Sequence, residues 1–188
     1  MYTYSTINFY ELTPAQLCDV ISQKFHVPME MAASQIMSYF ELERQDDPTA
    51  PAAADLQQLL FHKMQGELLQ VIRKEATILF PMIRNTQPHN DGGGYIQQSA
   101  FDNMQQSFQK ISLLLQKIRQ VANNFLLRGH WSNYYKICVN DMCMMEQLIQ
   151  QYIYVEQNIL YPAVLKSGNT CVLQPGNKEN IDHNASID

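Results

Sequence analysis

An all-α fold, an antiparallel four-helix bundle, is the architecture the sequence predicts, and three features carry that reading. Apolar residues recur at steps of three and four through four long stretches. Proline, glycine or Asp-Pro breaks bound each stretch. Nowhere does the chain alternate with the period of two that a half-buried strand requires.

The first helix opens at Thr13-Pro14-Ala15-Gln16, a capping box with proline in the first helical position. Its stripe reads Leu17, Ile21, Phe25, Pro28, Ala32, Ile36 and Phe40. A proline inside a helix removes a backbone hydrogen bond. Because the stripe keeps its phase across Pro28, one kinked helix is predicted, not two. Asp46 to Pro51 reads as a linker. The second helix is predicted from Ala52 to Ile83, with Leu56, Leu60, Met64, Leu68, Val71, Glu75 and Ile78 on its stripe. Asn85 to Gly94 then breaks the pattern. The third runs from Ile96 to Leu127 on Phe101, Met104, Phe108, Ile111, Leu115, Ile118 and Ala122, with Arg128-Gly129 as its stop. The fourth spans Trp131 to Leu165 on Tyr135, Cys138, Met142, Met145, Ile149, Tyr152, Glu156 and Ile159, with Gly168 as a cap beyond it. The chain thus divides into an N-terminal extension (1–12), a bundle (13–166) and a flexible polar tail (167–188).

At 188 residues, 46% of them hydrophobic, the chain can bury one sizeable core. A net charge of −5 argues against a nucleic-acid partner, which calls for a basic face. No apolar run approaches the ~20 residues that span a bilayer. Met1 to Asn8 carries no Lys or Arg, unlike a secretory signal, so a cytoplasmic protein without a membrane partner is expected. Cys18, Cys138, Cys143 and Cys171 form no C-x2-C pair, and Cys18 and Cys138 read as small core residues. P-loop, dinucleotide and G-x-S-x-G motifs are all missing, so the sequence does not point to an enzyme. Tyr2, Tyr4, Phe9 and Tyr10 precede the first helix. They are read either as a cover for one end of the bundle or as a contact for a second subunit, which leaves a homodimer open.

One internal repeat goes beyond helix counting. The second helix ends Val71-Ile-Arg-Lys-Glu75-Ala-Thr-Ile-Leu-Phe-Pro81, and the fourth ends Tyr152-Ile-Tyr-Val-Glu156-Gln-Asn-Ile-Leu-Tyr-Pro162. Both contain E-x-x-I-L-aromatic-P, about one helical hairpin apart. Glu75 and Glu156 each fall on the apolar stripe, where an ionised carboxylate is costly unless it is paired or bound to metal. Two such glutamates on facing helices could bridge metals; the other reading is a stripe edge that reaches water or a polar partner.

This repeat, with the first-helix stretch from Leu17 to His26, resembles hemerythrin-like proteins. It looks closest to the di-iron proteins that repair iron–sulfur clusters under nitrosative or oxidative stress. The likeness covers about residues 12–166. It implies two irons held by one His in helix one, His-x3-Glu in helix two, one His in helix three and His-x3-Glu in helix four. His26, Glu75 and Glu156 fall on ligand positions. Val71 and Tyr152 stand where two histidines belong, and Asn103 is the third-helix residue in register. His62 lies about two and a half turns before Val71 and points away; His89, His130 and His183 fall outside the helices. With half the ligand set gone, the main expectation is a metal-free regulatory or interaction module for an unknown protein partner or small ligand. In that module the Tyr152 hydroxyl satisfies Glu75, Glu156 or His26. The alternative is an iron-binding stress protein with one metal at His26, Glu75 and Glu156, joined by Tyr152.

Overall fold

Thr13 starts the first helix as its sequence predicts. Its side chain accepts from the Gln16 backbone N–H, and the Gln16 side chain accepts in return from the Thr13 N–H. Two otherwise orphaned donors are thereby satisfied. Thr13→Ala is expected to cost about 1 kcal/mol, a loss of a few degrees in Tm readable by circular dichroism.

The computed structural model of the chain describes residues 7–46, 52–85 and 98–169, and every regular element among them is helical. Helix α1 comprises Pro14–Ile21, a wide π turn Ser22–His26, and Val27–Asp46. Helix α2 comprises Ala52–Lys74, a π turn Glu75–Leu79, and Phe80–Asn85. Helix α3 is Gln98–Val121. Helix α4 comprises Asn133–Val155, a π turn Glu156–Leu160, and Tyr161–Asn169. A short 3-10 turn, Phe9–Glu11, precedes α1. Most of the predicted linker, the break around Pro88, Tyr2, Tyr4, His89, Cys171, His183 and the tail from residue 170 lie outside the described residues.

The three π turns share one cause. Each closes with a backbone bond five residues long: Val27 to Ser22, Phe80 to Glu75, Tyr161 to Glu156. In every case the next residue is proline: Pro28, Pro81, Pro162. A proline ring clashes with the carbonyl four residues earlier, here Lys24, Thr77 or Asn158. One extra residue in the turn moves that carbonyl aside and lets the helix continue. Helical dihedrals therefore run straight through Pro28.

The extra residue also corrects the predicted stripes. Ile78 is exposed, and Leu79 takes the inward place, because the π turn at Glu75 shifts the phase by one. In α1 the core positions after the turn are Met29 and Ala33, where the stripe predicts Pro28 and Ala32. Leu56 is also exposed, with Phe61 in the core instead. The α3 stripe, Phe101 to Ala122, and the α4 stripe, Tyr135 to Ile159, are buried throughout. Met142 and Met145 are buried and Met144 is exposed, as their spacing predicts. Cys18 and Cys138 are buried free thiols. Helix α3 stops earlier than the predicted Gly129: Asn123, Asn124 and Phe125 adopt left-handed dihedrals (φ 50°, 57° and 61°) that no helix continues. Gly168 lies within α4 and does not cap it.

Packing joins α1 chiefly to α4 and α2 chiefly to α3. Between α1 and α2, Asp19 meets Arg84, His26 meets Glu75, and Phe40 meets Phe61. Between α3 and α4, Arg119 grips the nearly buried Glu146 from Nε (3.1 and 3.2 Å) and Nη2 (2.9 Å), while Phe108 meets Tyr152. Far from that level, the Tyr135 hydroxyl donates to buried Gln57 at 2.6 Å. Among the described residues no helix is long and apolar enough to cross a membrane.

Candidate functional site

The π turns deliver their own termini to the middle of the core. His26 ends the first, Glu75 begins the second and Glu156 begins the third. Both glutamates have 0% exposure and His26 has 4%, in a chain region with few other buried charges. Tyr152, also at 0%, stands among them from α4.

Glu75 Oε2 is the meeting point. His26 Nε2 lies 2.8 Å from it, and the Tyr152 hydroxyl donates to it at 2.6 Å. Aromatic rings fix these groups in place. Phe80 stacks on His26 at 5.5 Å with 3° between planes, and Tyr152 meets the imidazole edge-on at 5.6 Å. Phe25 and Phe108 hold the other sides of Tyr152, at 6.0 and 5.6 Å.

Glu156 does not join this hydrogen-bonded set. Among the described residues, both its oxygens, Glu75 Oε1 and the Tyr161 hydroxyl are buried without a hydrogen-bond partner. The Tyr161 hydroxyl faces the Glu156 carboxyl closely enough to lower its pKa as a hydrogen-bond donor would, although the pair falls outside strict hydrogen-bond geometry. Cys18 of α1 is a further neighbour: burial, then the Glu156 charge, pushes its thiol up to about 12. An inert core thiol follows, as the sequence predicts.

Burial sets the protonation of the cluster. His26 and Glu75 sit at the distance of an ion pair. Desolvation nonetheless lowers the imidazole to about 4 and raises the Glu75 carboxyl to about 8, the Tyr152 hydrogen bond only partly opposing the latter. The pair is therefore neutral at pH 7. One hydrogen bond joins Glu75 Oε2 to His26 Nε2, its direction set by the imidazole tautomer, and the same oxygen accepts from Tyr152. Glu156 is held well above the carboxylate range by burial and then by the Glu75 charge. Burial likewise raises Tyr152 and Tyr161, so both stay phenols.

The residues do not fit a di-iron centre. Among the described residues no group of three or more His, Cys, Asp or Glu side chains is arranged to hold a metal ion. The one imidazole turns its Nε2 to Glu75, and Val71, at 1% exposure, packs as a core residue where the family resemblance calls for a ligand. Asn103, the third-helix residue in the predicted register, is exposed; Phe108 is the α3 side chain that reaches Tyr152. His62 and His130 are exposed.

Sequence reasoning grouped His26, Glu75, Glu156 and Tyr152; hydrogen bonds join three of these and leave Glu156 outside, and the sequence reading missed Phe80 and Tyr161. Both were signalled: they are the aromatic of the two E-x-x-I-L-aromatic-P copies. One copy lays Phe80 against His26, and the other sets Tyr161 beside Glu156. No family model and no curated protein matches the chain, so its chemistry is read from this geometry alone.

Proposed function

We propose that the chain is a hemerythrin-like antiparallel bundle, kinked in α1, whose di-iron centre has been replaced by a neutral His26–Glu75–Tyr152 cluster. In this reading it works as a cytoplasmic regulatory or interaction module, engaging a protein partner, a second copy or a small ligand. The observation that carries it is the 2.6 Å bond from Tyr152 to Glu75. A residue standing where the family has a histidine ligand spends its hydroxyl on the carboxylate that would otherwise bind iron. The antiparallel order is supported by contacts in which rising numbers on one helix oppose falling numbers on its neighbour. Asp19, His26 and Phe40 meet Arg84, Glu75 and Phe61 in that order. Buried hydrogen-bonded clusters of this kind help to specify one packing of a core.

A second reading, one iron held by His26, Glu75 and Glu156 with Tyr152, is favoured by the unpartnered oxygens of Glu75 and Glu156. The two readings separate on metal content. Protein purified anaerobically, loaded with Fe(II) and desalted is expected to carry no more iron by mass spectrometry than a His26→Ala control. One iron per chain that the control loses would establish the single-metal site. Two irons per chain would sink the module reading outright.

A further inference from the structure

The short turn ahead of α1 walls a pocket that the His26 cluster does not use. Phe9 and Tyr10 of that turn and Tyr154 of α4 line a hollow of about 620 Å³. The Tyr10 and Tyr154 hydroxyls meet at 3.3 Å and tie the turn to α4. Phe25, buried in the first π turn, lines the hollow as well. Four aromatic rings therefore share one space. Gln147, Gln150 and Gln151 of α4 add side-chain amides to its walls. Among the described residues no Lys, Arg, His, Asp or Glu lines it. The pocket reaches the cluster at one remove: Phe25 packs 6.4 Å from Phe9 on one side and 6.0 Å from Tyr152 on the other.

We infer that this pocket binds an uncharged, flat aromatic small molecule, its ring against Phe9, Phe25 and Tyr154 and its polar edge on the glutamine amides. Size comes first. The hollow falls within the roughly 300–1,000 Å³ of small-molecule sites, and it is too small for the broad face a second protein needs. Charge comes next. A net charge of either sign would lose its water here and meet no counter-charge on the walls. Shape follows from the rings. Aromatic neighbours prefer tilted or offset packing at roughly 4.5–7 Å, and Phe9, Phe25 and Tyr152 already form such a row. A flat ligand ring adds one more member to it. The amides and the two phenol hydroxyls donate and accept alike, which matches the hydroxyl or ring N–H of an uncharged aromatic. This names a ligand for the module reading above and rests on that reading. Iron content tests the reading, and ligand titration tests the pocket, so the two failures are distinguishable.

The experiment is calorimetric titration of the full chain at pH 7 with 2-naphthol, its saturated counterpart 2-decalol, 2-naphthoate and phenyltrimethylammonium. Saturable binding of one 2-naphthol per chain is expected, with each of the other three about tenfold weaker or more. Tyr154→Ala should weaken 2-naphthol about tenfold. Gln151→Ala should weaken it by a smaller factor. Both side chains are exposed, so the core is left intact, and circular dichroism checks the fold of each variant. Leu113→Ala, an exposed change in a separate hollow between α3 and α4, should leave the affinity unchanged. No binding, equal binding of 2-decalol, or a loss seen with Leu113→Ala instead of Tyr154→Ala would overturn the inference. Tighter binding of phenyltrimethylammonium would overturn it in favour of an aromatic cage for cations. A wild-type dimer in sedimentation that Tyr154→Ala dissociates would overturn it in favour of an interface between copies.

Discussion

Tyr152→Ala is expected to destabilise the protein by about 3–5 kcal/mol, the range for truncating a buried large aromatic. Tyr152 has no exposed surface, contacts Phe25, His26 and Phe108, and donates the 2.6 Å bond to Glu75. Alanine removes the ring from all three neighbours and leaves a cavity beside two carboxyls. Tyr152→Phe separates the two contributions. It keeps the ring and deletes only the hydroxyl, so a loss of about 1–2 kcal/mol is expected. Urea denaturation of the three proteins reads both numbers. If phenylalanine cost as much as alanine, the hydrogen bond would dominate and the packing would count for little. If alanine cost less than about 1 kcal/mol, Tyr152 would not be the centre of the core.

Stability should also fall as pH rises from about 5 to about 8. Glu75 has a folded-state pKa of about 8 against an ordinary 4.5. Below 4.5 both states hold the proton and the folded state suffers no penalty. Between 4.5 and 8 the unfolded chain gives up its proton while the folded one keeps it, and stability is lost at about 1.4 kcal/mol per pH unit. Glu156, also raised, acts in the same direction. His26 acts in the opposite one. Its pKa is lowered from 6.5 to about 4, so its contribution is present above 6.5 and lost as pH falls towards 4. Below pH 6.5 it offsets one glutamate; above 6.5 nothing does. A melting-temperature series should therefore show a shallow decline up to pH 6.5 and a steeper one beyond. Glu75→Gln should flatten the curve by about one proton's worth. A profile flat between pH 6.5 and 8 would mean that neither glutamate keeps a proton there in the folded state.

Much of this fold was legible in the sequence because each helix writes its burial at regular steps. The whole α3 stripe could be read because α3 contains no proline. Where prolines stand, the reading slipped. Ile78 and Leu79 exchange places because a stripe counted at regular spacing has no room for the residue a π turn adds. The same shift explains Ala32 and Ala33. The end of α3 was misplaced for another reason: Asn123 and Asn124 tolerate left-handed dihedrals, so the helix can stop before any glycine arrives. At the site, the repeat exposed Glu75 and Glu156, and the spacing placed Tyr152. What spacing could not give is direction. Glu75 and Glu156 have nearly identical sequence settings, yet one is hydrogen-bonded to an imidazole and a phenol while the other has only the Tyr161 phenol beside it.

Those π turns also bear on how the chain can change its length. Each carries one residue more than a regular helix accommodates, directly before a proline. A single-residue deletion between Glu75 and Pro81 would remove the π turn and set the Pro81 ring against the carbonyl four residues before it, leaving that carbonyl without its helical donor. The final turns of α2 would then rotate by about 100°. Leu79 and Ile83 would swing off the core, and Phe80 would leave the face of His26. The register that seats this histidine is thus fixed by residue count, and sequence alignments that place a gap here would describe a differently wound protein.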